Sequence, residues 1–337
     1  MHLNSFKPQF PVLPQCGIEV IMASEIKLGV STCLLGEKVR FDGGHKHNRY
    51  VTQTLGQFFD FVPVCPESEC GLGIPREAMR LVGDASSPRL ITNKTHIDHT
   101  DRMRSWSDQR LSALQKEDLC GFIFKKDSPS SGLHRVKVYN DKGQPVKNGR
   151  GLFAAAFTER FPRIPVEEEG RLNDSVLREN FIERVFAMQR WRDALQRKQT
   201  VGNLVDFHTR EKLFIMAHSQ KHYREMGRLV AAGKALKPLD LYNRYEVLLF
   251  KALDLKGTVS KNTNVLMHIL GYFKKQLSSD EKQEVLELIQ NYRSGHMPLI
   301  VPVTLMNHFV RKYRQPYLAT QTYLNPHPIE LQLRNHV

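Results

Sequence analysis

Ile26-Lys27-Leu28-Gly29-Val30-Ser31-Thr32-Cys33 is an apolar run that breaks into small polar residues and then a thiol. Two later stretches repeat the plan. Phe61-Val62-Pro63-Val64 ends on Cys65, and Gly121-Phe122-Ile123-Phe124 runs out into Ser128-Pro129-Ser130-Ser131-Gly132. Short apolar runs bounded by turn residues read as buried strands. Between them, 52–59 reads as a short helix and 101–116 as a longer one, with Met103, Trp106, Leu111 and Leu114 at helical spacing. Val136–Tyr139 reads as a fourth strand, closed by the turn signal Asp141-Lys142-Gly143. The β-α-β-α-β order predicts an α/β domain: a three-layer, Rossmann-like fold on a parallel sheet.

Past residue 200 the strand signals fade. Segments 207–231, 239–255, 263–277, 280–293 and 303–312 read as helices, so the second half is expected to be an all-α helical bundle. Residues 162–169, with two prolines and the run Glu167-Glu168-Glu169, read as a linker, and 177–195 as a bridging helix. The expected division is an N-terminal extension at 1–24, an α/β catalytic domain at 25–165, a linker and bridging helix at 166–205, and a helical domain at 206–332. Residues 1–24 show no periodicity; a start at Met22 and a real N-terminal arm are both open readings, and Cys16 is given no role.

The 337 residues carry 49 Lys+Arg against 35 Asp+Glu, a formal charge of +14. A surface this basic attracts polyanions, nucleic acid first among them. The excess falls on both halves and avoids the segment between them. Five cysteines, an odd number spread thinly, do not form a disulfide framework. No run approaches the ~20 apolar residues that span a bilayer, so no membrane partner is expected. The expected compartment is the cytoplasm, where thiols stay reduced and open to metal.

Parallel strands deliver the loops that follow them to one carboxyl edge, where α/β proteins place their sites. Cys33, Cys65 and the 128–132 loop would meet there, and two thiols in a reducing compartment suggest a soft metal centre. Cys120, at a strand start, reads as a small buried hydrophobe. Glu67, two residues after Cys65, is the carboxylate best placed to act as general base on water. Asp42 and Ser130 lie in the same set of loops and complete the candidate catalytic group. In the helical half, Lys221, Arg224 and Arg228 share one helix face at 3- and 4-residue spacing. Lys261, Lys274, Lys275, Arg311, Lys312 and Arg314 add charge, with Tyr272, Tyr313 and Tyr317 nearby to stack on exposed bases. Self-association is left open.

Ser31-Thr32-Cys33-Leu34-Leu35-Gly36, Arg40-Phe41-Asp42-Gly43-Gly44, Val62-Pro63-Val64-Cys65-Pro66-Glu67 and Lys126-Asp127-Ser128-Pro129-Ser130 together resemble the thiouracil desulfidase family. Gly149-Arg150-Gly151-Leu152-Phe153 and Gly170-Arg171-Leu172-Asn173-Asp174 are similar to its long form. The helical half resembles a YbgA-like domain through Met216-Ala217-His218-Ser219, Asn264-Val265-Leu266-Met267-His268, Gly271-Tyr272-Phe273-Lys274-Lys275 and Tyr323-Leu324-Asn325-Pro326-His327-Pro328. The resemblance implies a [4Fe-4S] cluster held by three cysteines with one iron open. In the fused form it implies conversion of 4-thiouridine to uridine in tRNA, with the helical domain holding the RNA. Sulfur would pass to the open iron and oxygen would come from water, with no net electron transfer and with Glu67 or Asp42 managing protons. One position departs from the family pattern: Ser131 stands where the third cysteine falls. Three outcomes follow: Ser131 ligates weakly, Cys70 or Cys120 substitutes, or no intact cluster forms. Two rival readings are a tRNA-binding protein with a decayed site and an enzyme acting on free thiobases.

Overall fold

A computed structural model describes residues 26–336; Cys16 and Met22 lie outside the described residues. Four parallel strands form the central sheet, in the order β2-β1-β5-β8: β1 Lys27–Ser31, β2 Asp60–Val64, β5 Gly121–Phe124 and β8 Val166–Glu168. Register is set by pairs such as Val30 with Pro63 and Val30 with Ile123. A second, mixed sheet runs β4-β3-β6-β7, built from β3 Met79–Val82, β4 Arg89–Thr92, β6 Val136–Tyr139 and β7 Pro145–Gly149.

The sequence reading therefore needs two corrections. The fourth strand belongs to this second sheet, and the segment read as a linker contains β8. Its carboxylates disguised it: Glu167 and Glu168 are buried, which an acidic run does not announce.

Alternation along the strands gives the central sheet two different faces. One carries Val64, Phe122 and Phe124 and packs on α2 (Thr100–Leu114) and α3 (Leu152–Arg160), through Leu111, Phe153 and Phe157. The other carries Leu28, Val30 and Ile123 and meets the helical turns at 50–57 and α4 (Ser175–Gln196), through Val51, Leu55, Phe181 and Val185. A short helix, α1 (Pro66–Glu69), follows β2 directly.

The same core continues from α4 into the helical half. It runs through α5 (Val201–His218), α6 (Gln220–Ala231), α7 (Pro238–Leu253), α8 (Val259–Tyr272), α9 (Ser279–Arg293), α10 (Ile300–Lys312) and α11 (Pro316–Ala319). The single helix expected over 207–231 is two. Ser219 breaks it by leaving helical backbone and accepting the His222 N–H, which caps α6. Among the described residues no helix is long and apolar enough to cross a membrane.

Candidate active site

The strand order places β1 and β5 side by side while β2 and β8 flank them, so the connections leave β1 and β5 toward opposite sides of the sheet. A switch point opens a crevice at the carboxyl ends of the strands. A cavity of about 350 Å³ lies there, lined by Cys33, Cys65, Glu67 and Ser131 among others. Cys33 sits in the tight turn after β1, Cys65 stands between β2 and α1, and Ser131 lies in the loop after β5. The three residues nominated as donors are thus brought together from three different strand ends.

The other nominated residues separate. Cys120 precedes β5, at the opposite edge of the sheet, and donates to Gln189 Oε1 of α4 at 3.0 Å. Cys70 closes α1 but packs with Leu81, Leu90 and Met103, its thiol donating to the Glu67 carbonyl at 3.4 Å. Neither lines the cavity. Asp42 is exposed; the Gly44 N–H that its carboxylate accepts at 3.0 Å, and after it the pairing with Arg40, hold it below the usual carboxylate range. It shapes a turn and does not face the cavity.

Glu67 and Ser130 form the polar centre. Ser130 is fully buried and its hydroxyl donates to Glu67 Oε1 at 2.5 Å. The other carboxylate oxygen accepts from the Cys65 thiol at 3.7 Å and faces Arg76 at 3.8 Å. Burial, reinforced by the Glu67 charge, pushes the Cys33 thiol up to about 11 and the Cys65 thiol up to about 12. Both are therefore protonated at neutral pH until a cation takes the proton's place.

The 125–134 loop is pinned by the acidic run that ends β8 and continues to Glu169. Glu168 Oε1 accepts both the Leu133 and His134 N–H groups, at 2.8 and 3.0 Å. Glu169 binds the Lys125 ammonium and the Lys126 N–H, each at 2.6 Å. From the other side the start of α3 clamps the loop: the Phe153 and Ala154 N–H groups donate to the Ser130 carbonyl. Position 151 must be glycine, because a Cβ there would lie 2.5 Å from the Ser130 carbonyl.

Arg40, Lys46, Arg76, Lys125 and Lys126 surround the cavity mouth and outnumber the acids Glu67, Glu77 and Asp127. Sequence reasoning missed Arg76 and Lys125. Lys125 follows its strand directly and was open to the same edge argument; Arg76 comes from an aperiodic segment that gives no signal.

The donor set is two thiols and a hydroxyl. Among the described residues, no group of three or more His, Cys, Asp or Glu side chains gathers as a metal site. Ser131, 3% exposed, supplies the third donor as an oxygen, harder than a thiolate. The cavity and the three converging donors still fit a compact cluster held at three corners.

Of the basic residues nominated in the helical half, Lys221, Arg224, Arg228, Lys274, Lys275, Arg311 and Arg314 are exposed. Lys261 is committed elsewhere, its ammonium donating to the carbonyls of His218 and Lys256 at 2.7 Å each. Lys312 pairs with Glu281 at 2.5 Å, and Tyr313 donates to the same carboxylate at 2.7 Å. Those groups hold α10 to α9.

Comparison with known proteins matches two separate segments of the chain. Residues 28–169 match the family model described as 2-thiouracil desulfurase. Residues 212–328 match the model described as a protein of unknown function, DUF1722. A protein of Escherichia coli (strain K12), described as uncharacterized protein YbgA, is 35% identical over 153 residues, which is 45% of this chain and 90% of that protein. A solved structure of a [4Fe-4S]-dependent thiouracil desulfidase, TudS, is 26% identical with a TM-score of 0.36, covering 44% of this chain and 95% of its own.

Proposed function

The chain belongs to the YbgA family through its helical half and carries a 2-thiouracil desulfurase domain ahead of it, and from that premise we propose that it replaces the sulfur of a thiolated uridine in tRNA by oxygen. The reaction is a hydrolysis: the C–S bond breaks, a C–O bond forms from water, and sulfur leaves as sulfide. No electron is gained or lost. The observation that carries this reading is the convergence of Cys33, Cys65 and Ser131 on one cavity beside Glu67.

Cys33, Cys65 and Ser131 would hold a [4Fe-4S] cluster, which when bound supplies a Lewis-acidic iron with an open position for a soft thiocarbonyl sulfur. The chain's own residues manage the rest. Glu67, with one oxygen committed to Ser130, keeps the other turned to the cavity and takes a proton from the attacking water there. Ser130 fixes the carboxylate in that orientation. Val39, Phe41 and Met79 line the cavity and form an apolar wall for a flat base, while Arg40 and Arg76 hold the negative charge of the nucleotide.

The test is anaerobic incubation with 4-thiouridine-containing tRNA, following loss of the thiocarbonyl absorbance and release of sulfide. Turnover is expected, abolished in Cys33→Ala and raised with iron content in Ser131→Cys. Unchanged turnover in Cys33→Ala would sink the cluster mechanism. Conversion of free thiobases with tRNA left untouched would move the activity to the small substrate. The oxygen at position 131 favours one second reading, a tRNA-binding protein whose cluster site has decayed. Reconstituted protein without stoichiometric iron and sulfide would establish it.

A further inference from the structure

Lys212 on α5 and Tyr223, Arg224 and Arg228 on α6 line an open groove of about 820 Å³ that no carboxylate enters. Among the described residues, the guanidinium groups of Arg224 and Arg228 have no ion-pair or hydrogen-bond partner, unlike the ammonium groups of Lys261 and Lys312. Unpaired cations gathered in a groove repel one another, and an anion placed between them relieves that cost.

Two further features say what kind of anion fits. His208 also lines the groove, though it is only 8% exposed. Its Nδ1 meets the Tyr245 hydroxyl at 3.1 Å, and its Nε2 faces Gly227 without a protein partner. Burial and the nearby Lys212 hold this imidazole down at about 4, so it is a neutral hydrogen-bonding group at physiological pH. The Lys212 ammonium, in turn, lies 4.7 Å over the ring of Tyr317, which stacks on Tyr272 at 5.0 Å. Tyr272 is 37% exposed, with the His268 ring in an edge arrangement 5.7 Å from it. Cations for phosphates beside a partly exposed aromatic pair make a surface that tracks a polynucleotide and stacks its bases.

We propose that the α5–α6 groove seats the phosphodiester backbone of an RNA strand, with an unpaired base stacked on the Tyr272–Tyr317 pair beside it. This rests on the reading that tRNA is the substrate and adds where the RNA is held.

The experiment uses the full chain and fluorescence anisotropy with unmodified tRNA across a salt series. Arg224→Ala with Arg228→Ala should weaken binding roughly tenfold and flatten the slope of log K against log salt by about one and a half. Lysine at both positions should restore most of that slope, and Lys142→Ala, on the β6–β7 turn and outside the groove lining, should leave it unchanged. Tyr272→Ala should weaken tRNA binding roughly tenfold while sparing inorganic polyphosphate, which has no base to stack. A double alanine variant with unaltered affinity and slope, or a wild-type chain that does not bind tRNA, would overturn the groove. Equal losses for tRNA and polyphosphate in Tyr272→Ala would overturn the stacking. Desulfuration is measured beside binding. Turnover of tRNA with an indifferent groove defeats this inference alone, and groove-dependent binding without turnover defeats the enzymatic reading alone.

Discussion

Glu67 touches Ser130, Ser128, Cys65 and Arg76 at once, and what it does there can be separated from what it supports. Glu67→Gln keeps the shape and can still accept from Ser130, but it cannot take a proton from water. If Glu67 is the base, turnover should fall by about 100-fold or more while iron content and tRNA affinity stay near wild type. A loss of iron in step with activity would instead mark Glu67 as support for the thiols. This residue was legible in the sequence because it follows a strand-ending cysteine by two positions. Arg76 was not legible, because its place depends on a loop that returns to the cavity before β3, and no local pattern encodes that return. Asp42 stood in an equally suggestive motif, yet its carboxylate is spent on its own turn. Spacing located the edge of the sheet; it did not say which side chains turn inward.

At the scale of elements, β8 shows how a motif can mislead. Three consecutive glutamates look like a solvated tether, whereas Glu168 is 2% exposed and accepts two N–H groups of the loop that carries Ser131. Glu168→Ala would orphan both donors, at a cost of about 2–4 kcal/mol. Hydrogen exchange at Leu133 and His134 should quicken, and the cluster-loaded protein should lose iron faster to a chelator. Exchange rates equal to wild type would refute the pinning.

The contact between α5 and α7 makes a pH-dependent counterpart. His208 titrates near 4 in the folded chain and near 6.5 when unfolded, so between those values the unfolded state holds the extra proton. Its contribution to stability is complete above 6.5 and is lost as pH falls toward 4. The loss amounts to about 3 kcal/mol at most. Denaturant titrations at pH 7 and pH 5 should show a smaller drop for His208→Gln than for wild type. Equal drops would show that the imidazole does not carry this dependence.

For the whole molecule the question is whether the two halves are separate bodies. The sheet's second face, Leu28, Val30 and Ile123, has α4 as a main cover, and the opposite side of α4 carries Trp191 against Phe207 and Tyr245. Arg192 ties α4 to the Leu119 carbonyl and Asp118, and Arg184 ties it to Asp254. One helix therefore serves both cores, and stripping it from either exposes a large apolar face. The composition supplies the reporters, since the chain has two tryptophans: Trp106 by the sheet's α2–α3 face and Trp191 in the shared core. Trp106→Phe and Trp191→Phe each leave one probe. Unfolding followed by either should give the same midpoint, within the shift each substitution causes in circular dichroism. A fragment ending at residue 169 should aggregate, because it leaves Leu28, Val30 and Ile123 without α4. Two well-separated midpoints, or a soluble and folded 26–169 fragment, would mean that the halves fold independently and that α4 is only a tether.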